Sequence, residues 1–476
     1  MSIRFVCFII LINLIPHANA EPNWQPHTLT GPNGEQVPAE LGYIETPQIR
    51  GKADSGTLEL GFVRLKSQAQ NPGNPIVYLA GGPGGSATWT ASHQRHPMFV
   101  ALTEFADVII FDQRGTGLSR NGLEDCRYDP KIPLTQAITL EGYINAMSDA
   151  ARYCRKQWSQ TGVDLNAYNT MESVHDLEAL RVALGAEQID LWGISYGTHL
   201  AFAMNKTYPQ SVGKMILASS EGLDHTIKSP ANVDAVLARV ATAFKAHPAS
   251  AQYPELVPMM QGIHEKYAAE PATIKVPTRD GATVELAVSK ANIQLMTAGA
   301  LLRDPSSIAN LPGFYGLLAM GDFSLIGPHF LGMRMEMFTL NPMSVAMDAA
   351  SGVSQERWQQ VQGEAERSVL WRSSNLPFPD ISAALGVKDL GDDFRSLNKN
   401  ATPTLFFAGT LDGRTPLEGQ RDVANYFSNK SFVTIENGGH NLYMSSPKVL
   451  ATMQQFLRGE TLAEEITIEL PIPEFR

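Results

Sequence analysis

Three residues in one chain order carry the chemistry this sequence offers: a serine, an aspartate and a histidine. Gly193-Ile194-Ser195-Tyr196-Gly197 is a Gly-x-Ser-x-Gly pentapeptide. Before it, Gln188–Trp192 reads as a buried strand, and after it Thr198–Met204 reads as a helix. A sharp strand-to-helix turn leaves no room for Cβ atoms beside the serine. Glycines there lift Ser195 Oγ clear of a sheet and aim the following backbone N–H at the same point. A serine hydroxyl needs a base to take its proton and a third group to orient that base. Asp412, in Gly409-Thr410-Leu411-Asp412-Gly413, and His440, in Asn437-Gly438-Gly439-His440-Asn441, each follow an apolar run that reads as a strand. Loops at the C-terminal ends of parallel strands are where such sheets place functional groups. Taken singly, Asp412 forms an Asp-Gly turn and His440 caps a helix. Taken jointly and in order, they read as the orienter and the base for Ser195.

An oxyanion needs donors as well, and backbone N–H groups on a glycine-rich loop supply them without bulk. Ala80-Gly81-Gly82-Pro83-Gly84-Gly85-Ser86 follows the apolar Val77-Tyr78-Leu79. It lacks the Gly-Lys-Ser/Thr ending of a nucleotide-binding loop, and its proline removes a donor. Gly82, or its neighbour Gly81, together with the Tyr196 N–H, is the expected oxyanion hole.

These groups need a frame. Apolar runs at Thr57–Lys66, Pro75–Ala80, Ala106–Phe111, Gln188–Gly193, Lys214–Ala218, Thr402–Ala408 and Ser431–Glu436 read as buried strands with helical segments between many of them. The clearest helix runs from Asn169 to Leu184, with Asn169 and Glu172 as a capping pair and Gly185 as its stop. This alternation predicts an α/β protein: a mostly parallel central sheet flanked by helices on both faces. It breaks between residues 223 and 400, which are rich in Met, Ala, Pro and short helical patterns, with a hairpin around Thr273–Val288 turning at Asp280-Gly281. The economical division is a core over 21–222, a large, mainly helical lid over 223–400 inserted before the last two core strands, and the rest of the core over 401–476.

Residues 1–20 read as a signal peptide: Arg4, the apolar run Phe5–Ile15, then Ala18-Asn19-Ala20 as the cleavage site. The expected location is therefore periplasmic or secreted, with no membrane anchor after leader removal. The formal charge of −11 carries no electrostatic footprint for nucleic acid. Of 3 cysteines, Cys7 leaves with the leader, so Cys126 and Cys154 are expected to pair as a disulfide in an oxidising compartment.

The Gly-Gly-Pro-Gly-Gly loop, then Asp112-Gln113-Arg114-Gly115-Thr116-Gly117-Leu118-Ser119, then Gly-Ile-Ser-Tyr-Gly-Thr, resembles the prolyl aminopeptidase and tripeptidyl aminopeptidase group of α/β-hydrolases. The chain order Ser195, Asp412, His440 is also that of the α/β-hydrolase fold. The resemblance implies Ser195 as nucleophile, His440 as base and Asp412 as its orienter, with Asp112 and Arg114 bracing the oxyanion loop. It covers most of the chain outside the lid. Many proline iminopeptidases carry His before the loop and Trp after the serine, where this chain has Ala80 and Tyr196. These departures point toward the secreted, larger-lidded branch and away from strict proline specificity.

The expected activity is that of a serine exopeptidase, using no metal or cofactor, that removes N-terminal residues or short peptides from peptides with a free N-terminus. Recognising an α-ammonium asks for a partly desolvated carboxylate. Glu221, just beyond Met215–Ser220, is the first candidate; Asp304, Asp322 and Glu336 in the lid are others. Phe314, Tyr315, Phe323, Met333, Met335 and Met337 are either lid core or the lining of an apolar pocket. Two alternatives use the same frame: an esterase or amidase of small molecules with the same triad, and a non-catalytic binding protein on a hydrolase scaffold.

Overall fold

The computed structural model describes residues 22–476, so the leader expected over 1–20 lies outside the described residues. A sheet of ten strands runs through the described residues. Its strands are β1 (Gln25–Thr30), β2 (Gln36–Pro47), β3 (Thr57–Leu65), β4 (Ile76–Leu79), β5 (Val108–Phe111), β6 (Ile189–Ile194), β7 (Val212–Ala218), β8 (Thr404–Gly409), β9 (Lys430–Glu436) and β10 (Glu465–Glu469). Their spatial order is β1-β2-β3-β5-β4-β6-β7-β8-β9-β10. The run from β5 to β10 is parallel throughout, and β1, β2 and β3 extend it as an antiparallel meander.

The short central strands are apolar along their whole length because both faces are covered. Side chains alternate between the two: Val77, Leu79, Ile109, Phe111, Leu191 and Phe406 join one buried cluster. Ile76, Tyr78, Val108, Ile110, Trp192 and Phe407 join the other. Each such aliphatic or aromatic side chain withdrawn from water contributes roughly 1.5–3 kcal/mol. Helices Leu140–Gln160, Thr170–Ala183 and Tyr196–Thr207 cover the first face, and His96–Leu102 and Pro447–Leu457 the second.

Three strands of this sheet went unread: β1, exposed at all but one residue, β2, which alternates weakly and is partly exposed, and β10, an edge strand of alternating Glu, Ile and Thr. As a result three parallel strands, rather than two, follow the long stretch between β7 and β8. One local expectation is also corrected. Asn169 caps its helix by accepting from Glu172 N at 3.0 Å. The reciprocal half of the capping box is absent, because the Glu172 carboxylate instead accepts from Arg50 N (2.9 Å) and Arg50 Nη1 (2.7 Å). A charge-assisted pair with arginine outcompetes a bond to a neutral amide.

Between β7 and β8 lie short helices and the hairpin of Ala272–Pro277 with Thr283–Val288. Residues 233–330 supply most of a third buried cluster. Phe338, Met343, Ala346, Phe378 and Ile381 belong instead to the cluster on the first sheet face. Cys126 and Cys154 form a disulfide with Cα atoms 5.6 Å apart. It joins helix Leu140–Gln160 to the short strand Cys126–Arg127, which pairs with Thr339–Leu340. Among the described residues no helix is long and apolar enough to cross a membrane.

Candidate active site

Strand β4 has β5 on one side and β6 on the other, so the connections leaving β4 and β6 diverge and open a crevice at their C-terminal ends. Ser195 stands at that point, immediately after β6 and before helix Tyr196–Thr207, with φ 55° and ψ −129°. A non-glycine residue in this region stores strain that the surroundings must hold. Packing supplies the hold: a Cβ on Gly197 would lie 2.1 Å from Leu79 O, and one on Gly193 would lie 2.8 Å from Gly197 O. Only hydrogen fits there, and the turn closes against β4. Tyr443 Oη secures β6 from behind by donating to Gly193 O at 2.6 Å.

The glycine loop after β4 runs beside the serine; a Cβ on Gly81 would come within 3.6 Å of Ser195 Oγ. Among the described residues, the N–H groups of Gly81, Gly82 and Tyr196 donate to no protein acceptor. The loop is braced by the Asp112–Ser119 segment. Buried Asp112 accepts from Ala87 N (2.6 Å), Thr88 N (3.2 Å), Ser86 Oγ (3.0 Å) and Leu118 N (2.9 Å). Gln113 Nε2 donates to Ala80 O at 3.0 Å. Arg114, wholly buried, forks onto Asp176 with two bonds of 2.7 Å. Burial works against the Arg114 charge, but Asp176 and Glu172 outweigh it and raise its pKa above the usual value. The Tyr196 side chain is equally fixed: its hydroxyl meets Thr170 Oγ1 at 3.0 Å and donates to Met347 Sδ at 3.1 Å.

Asp412 and His440 come from the loops after β8 and β9. His440 Nδ1–H donates to both Asp412 oxygens, at 3.1 and 3.0 Å. Asp412 also accepts from Arg414 N (2.8 Å), Thr415 N (2.9 Å) and Thr415 Oγ1 (2.7 Å). Burial alone would raise its pKa; the His440 charge and these donors together hold it below the ordinary carboxylate range. The His440 loop is pinned from two sides. Ser219 Oγ donates to His440 O at 2.7 Å, and His440 N donates to Arg303 O at 2.8 Å. Asp304 accepts from Asn441 N and Nδ2, both at 2.8 Å, and so positions the histidine loop.

Two cavities meet at Ser195, and Gly82 and Arg414 line both. The smaller, about 360 Å³, carries Glu221, Lys228 and Asp348, with Met333, Met337 and Phe378 among its apolar walls. The larger, about 1000 Å³, carries His440, Asn441 and Gly81. Glu221 therefore faces the serine's cavity, but with its carboxylate accepting from Lys228 Nζ at 2.7 Å. Burial raises the Glu221 carboxyl, yet Lys228 and then His199 bring it below its ordinary value. Asp348 is the reverse case: burial first, then the Glu221 charge, pushes it up to about 7. No hydrogen bond reaches its side chain among the described residues.

Asp322 and Glu336 are exposed and line neither cavity. Phe314 and Tyr315 belong to the third buried cluster, against which Phe323 packs. Of the six apolar candidates, only Met333 and Met337 reach the smaller cavity, and Met335 is exposed. Asp348, Lys228 and Arg414 were missed. Asp348 alone left a trace in sequence, as the single charged residue in the largely apolar helix Pro342–Ser351.

A family model described as alpha/beta hydrolase fold matches residues 74–447. The chain belongs to the α/β-hydrolase family. It is similar to the serine protease Hip1 of Mycobacterium tuberculosis, 25% identical over 213 residues, covering 42% of this chain and 40% of that one. A tripeptidyl aminopeptidase of Streptomyces lividans is 26% identical over 192 residues, 38% of this chain and 35% of that one. A proline iminopeptidase of Xylella fastidiosa is 28% identical over 151 residues, 32% of this chain and 34% of that one. These matches span about two-fifths or less of the curated relatives' own lengths. A serine hydrolase with peptidase-like relatives is the description they support.

Proposed function

We propose that the chain is an extracytoplasmic serine exopeptidase that releases N-terminal residues or short peptides through an acyl-enzyme on Ser195. The observation that carries this is the position of Ser195 between a cavity holding two carboxylates and a cavity holding His440. His440 takes the Ser195 hydroxyl proton as Oγ attacks the scissile carbonyl, and Asp412 orients the imidazole and stabilises its positive charge. The carbonyl oxygen, now an oxyanion, accepts from Tyr196 N–H and from Gly82 or Gly81 N–H. His440 returns the proton to the leaving amine as the C–N bond breaks. Water, deprotonated by His440, then cleaves the ester and restores Ser195.

In this reading the substrate's α-ammonium enters the smaller cavity and pairs with Asp348 and Glu221. Among the described residues Asp348 makes no direct ion pair, whereas Glu221 already holds Lys228. An amine beside Asp348 gives that carboxylate a direct ion-pair partner, which a blocked N-terminus cannot do. The peptidase names of the relatives and the disulfide support the exopeptidase and extracytoplasmic parts.

The test is turnover of free and N-acetylated aminoacyl and tripeptidyl amides beside aryl esters, with Ser195→Ala as control. Free peptides should exceed acetylated ones by roughly thirtyfold or more in kcat/KM, the cost of leaving a buried carboxylate unpaired. Equal rates would refute the amine site, and turnover surviving in Ser195→Ala would refute the mechanism. Cleavage of esters alone would establish an esterase.

A further inference from the structure

The larger cavity carries a charge pattern opposite to that of the chain. The sequence has 48 acidic against 37 basic residues, yet this cavity is walled by Arg95, Arg303 and Arg414 against a single carboxylate, Asp304. Asp304 is already engaged, accepting from Asn441 N and Nδ2 with Arg303 Nε at 3.6 Å. Arg414 is exposed and makes no ion pair among the described residues. Arg95 faces aromatic rings rather than a carboxylate: its guanidinium lies 5.3 Å from the Tyr443 ring centre, Nη1 donates to Tyr78 Oη, and buried Nε has no partner among the described residues. Three guanidiniums around one cavity repel one another, and a bound anion relieves that repulsion.

Which part of a substrate meets this wall follows from the proton path, and so rests on the peptidase reading above. His440 lines this cavity and not the smaller one. The group that protonates the leaving amine must lie on the leaving side, so the fragment released first occupies the arginine-walled cavity. We propose that this cavity selects leaving fragments that carry a carboxylate, either the peptide's own C-terminus or an acidic side chain. The enzyme then reads both ends of a short peptide: ammonium in one cavity, carboxylate in the other. Guanidinium suits the task because its planar fork matches a carboxylate with two parallel bonds.

The test compares peptides with one N-terminal portion and three leaving parts: Gly-Gly with a free C-terminus, Gly-Gly amide, and Glu-Gly amide. For the wild type, kcat/KM for the free acid should exceed that for the neutral amide by roughly tenfold at low salt and shrink as salt rises. A fast Glu-Gly amide assigns the site to a side chain, and a slow one assigns it to the C-terminus. Within each variant the acid-to-amide ratio is its own control. It should fall toward unity in Arg414→Gln and Arg303→Gln and persist in Arg414→Lys. If all three peptides are cleaved at one rate, the inference is overturned and the peptidase reading stands. If none is cleaved, the peptidase reading fails, and aryl esters of 4-hydroxybenzoate and 4-hydroxybenzamide read the cavity directly: preference for the carboxylate leaving group sustains the charge selection, and equal rates overturn it.

Discussion

Replacing Asp348 with asparagine should make the protein more stable above neutral pH while weakening its selectivity for free amines. The Asp348 carboxyl is pushed up to about 7 from an ordinary value of 3.8 by burial and by the Glu221 charge beside it. A carboxyl raised in the folded state holds its proton where the unfolded chain has released it. Between these two pH values the unfolded form binds fewer protons, so stability falls as pH rises, and the loss is complete above the folded value. At about 1.4 kcal/mol per unit, the wild type should lose roughly 2–3 kcal/mol at this position between about pH 5 and about pH 8. The amide introduced by Asp348→Asn has a similar shape and no proton to lose. Urea unfolding of both proteins at the two pH values isolates the term, because groups common to both cancel in the difference. The variant's advantage should grow by roughly that 2–3 kcal/mol from the lower pH to the higher. An advantage that stays constant across the range would refute the account, since the carboxyl would then titrate alike in both states. The same variant should discriminate poorly between free and acetylated peptides, the usual exchange of function for stability at a binding site.

Two further outcomes follow from the site and its support. Asp412→Asn should lower kcat by about ten-thousandfold with the fold retained, because an amide cannot both receive the Thr415 and Arg414 donors and hold His440 in its working tautomer; a loss below tenfold in steady-state kinetics would contradict the role given to Asp412. Cys126→Ser with Cys154→Ser opens a loop of 28-residue separation and should cost roughly 3–4 kcal/mol in the chain-entropy account, read as a lower urea midpoint that reductant no longer shifts.

Much of the frame was legible because its signals are local. The central strands are apolar throughout, and the glycines of the serine turn and of the loop after β4 stand in short motifs, although the contacts that demand them are long-range, Gly197 against Leu79 O and Gly81 against Ile194 O. β1 and β10 escaped notice as exposed edge strands, and β2, next to the edge, because it alternates exposed and buried residues; none has that unbroken apolar run. The capping box on Thr170–Ala183 failed for a related reason: its Glu172 had a stronger partner in Arg50, distant in sequence.

Local sequence determined the order of Ser195, Asp412 and His440, the turn that presents the serine, and the parallel sheet that carries them. It also singled out Cys126 and Cys154 as partners. Only the tertiary structure decided what surrounds that chemistry. Lys228 reaches Glu221, Asp348 enters the same cavity from the helix at Pro342–Ser351, and Arg95, Arg303 and Arg414 gather around another. The charge of a cavity wall is a sum over segments far apart in the chain. It has no period and no motif, and it comes into being only when packing brings those segments to one place.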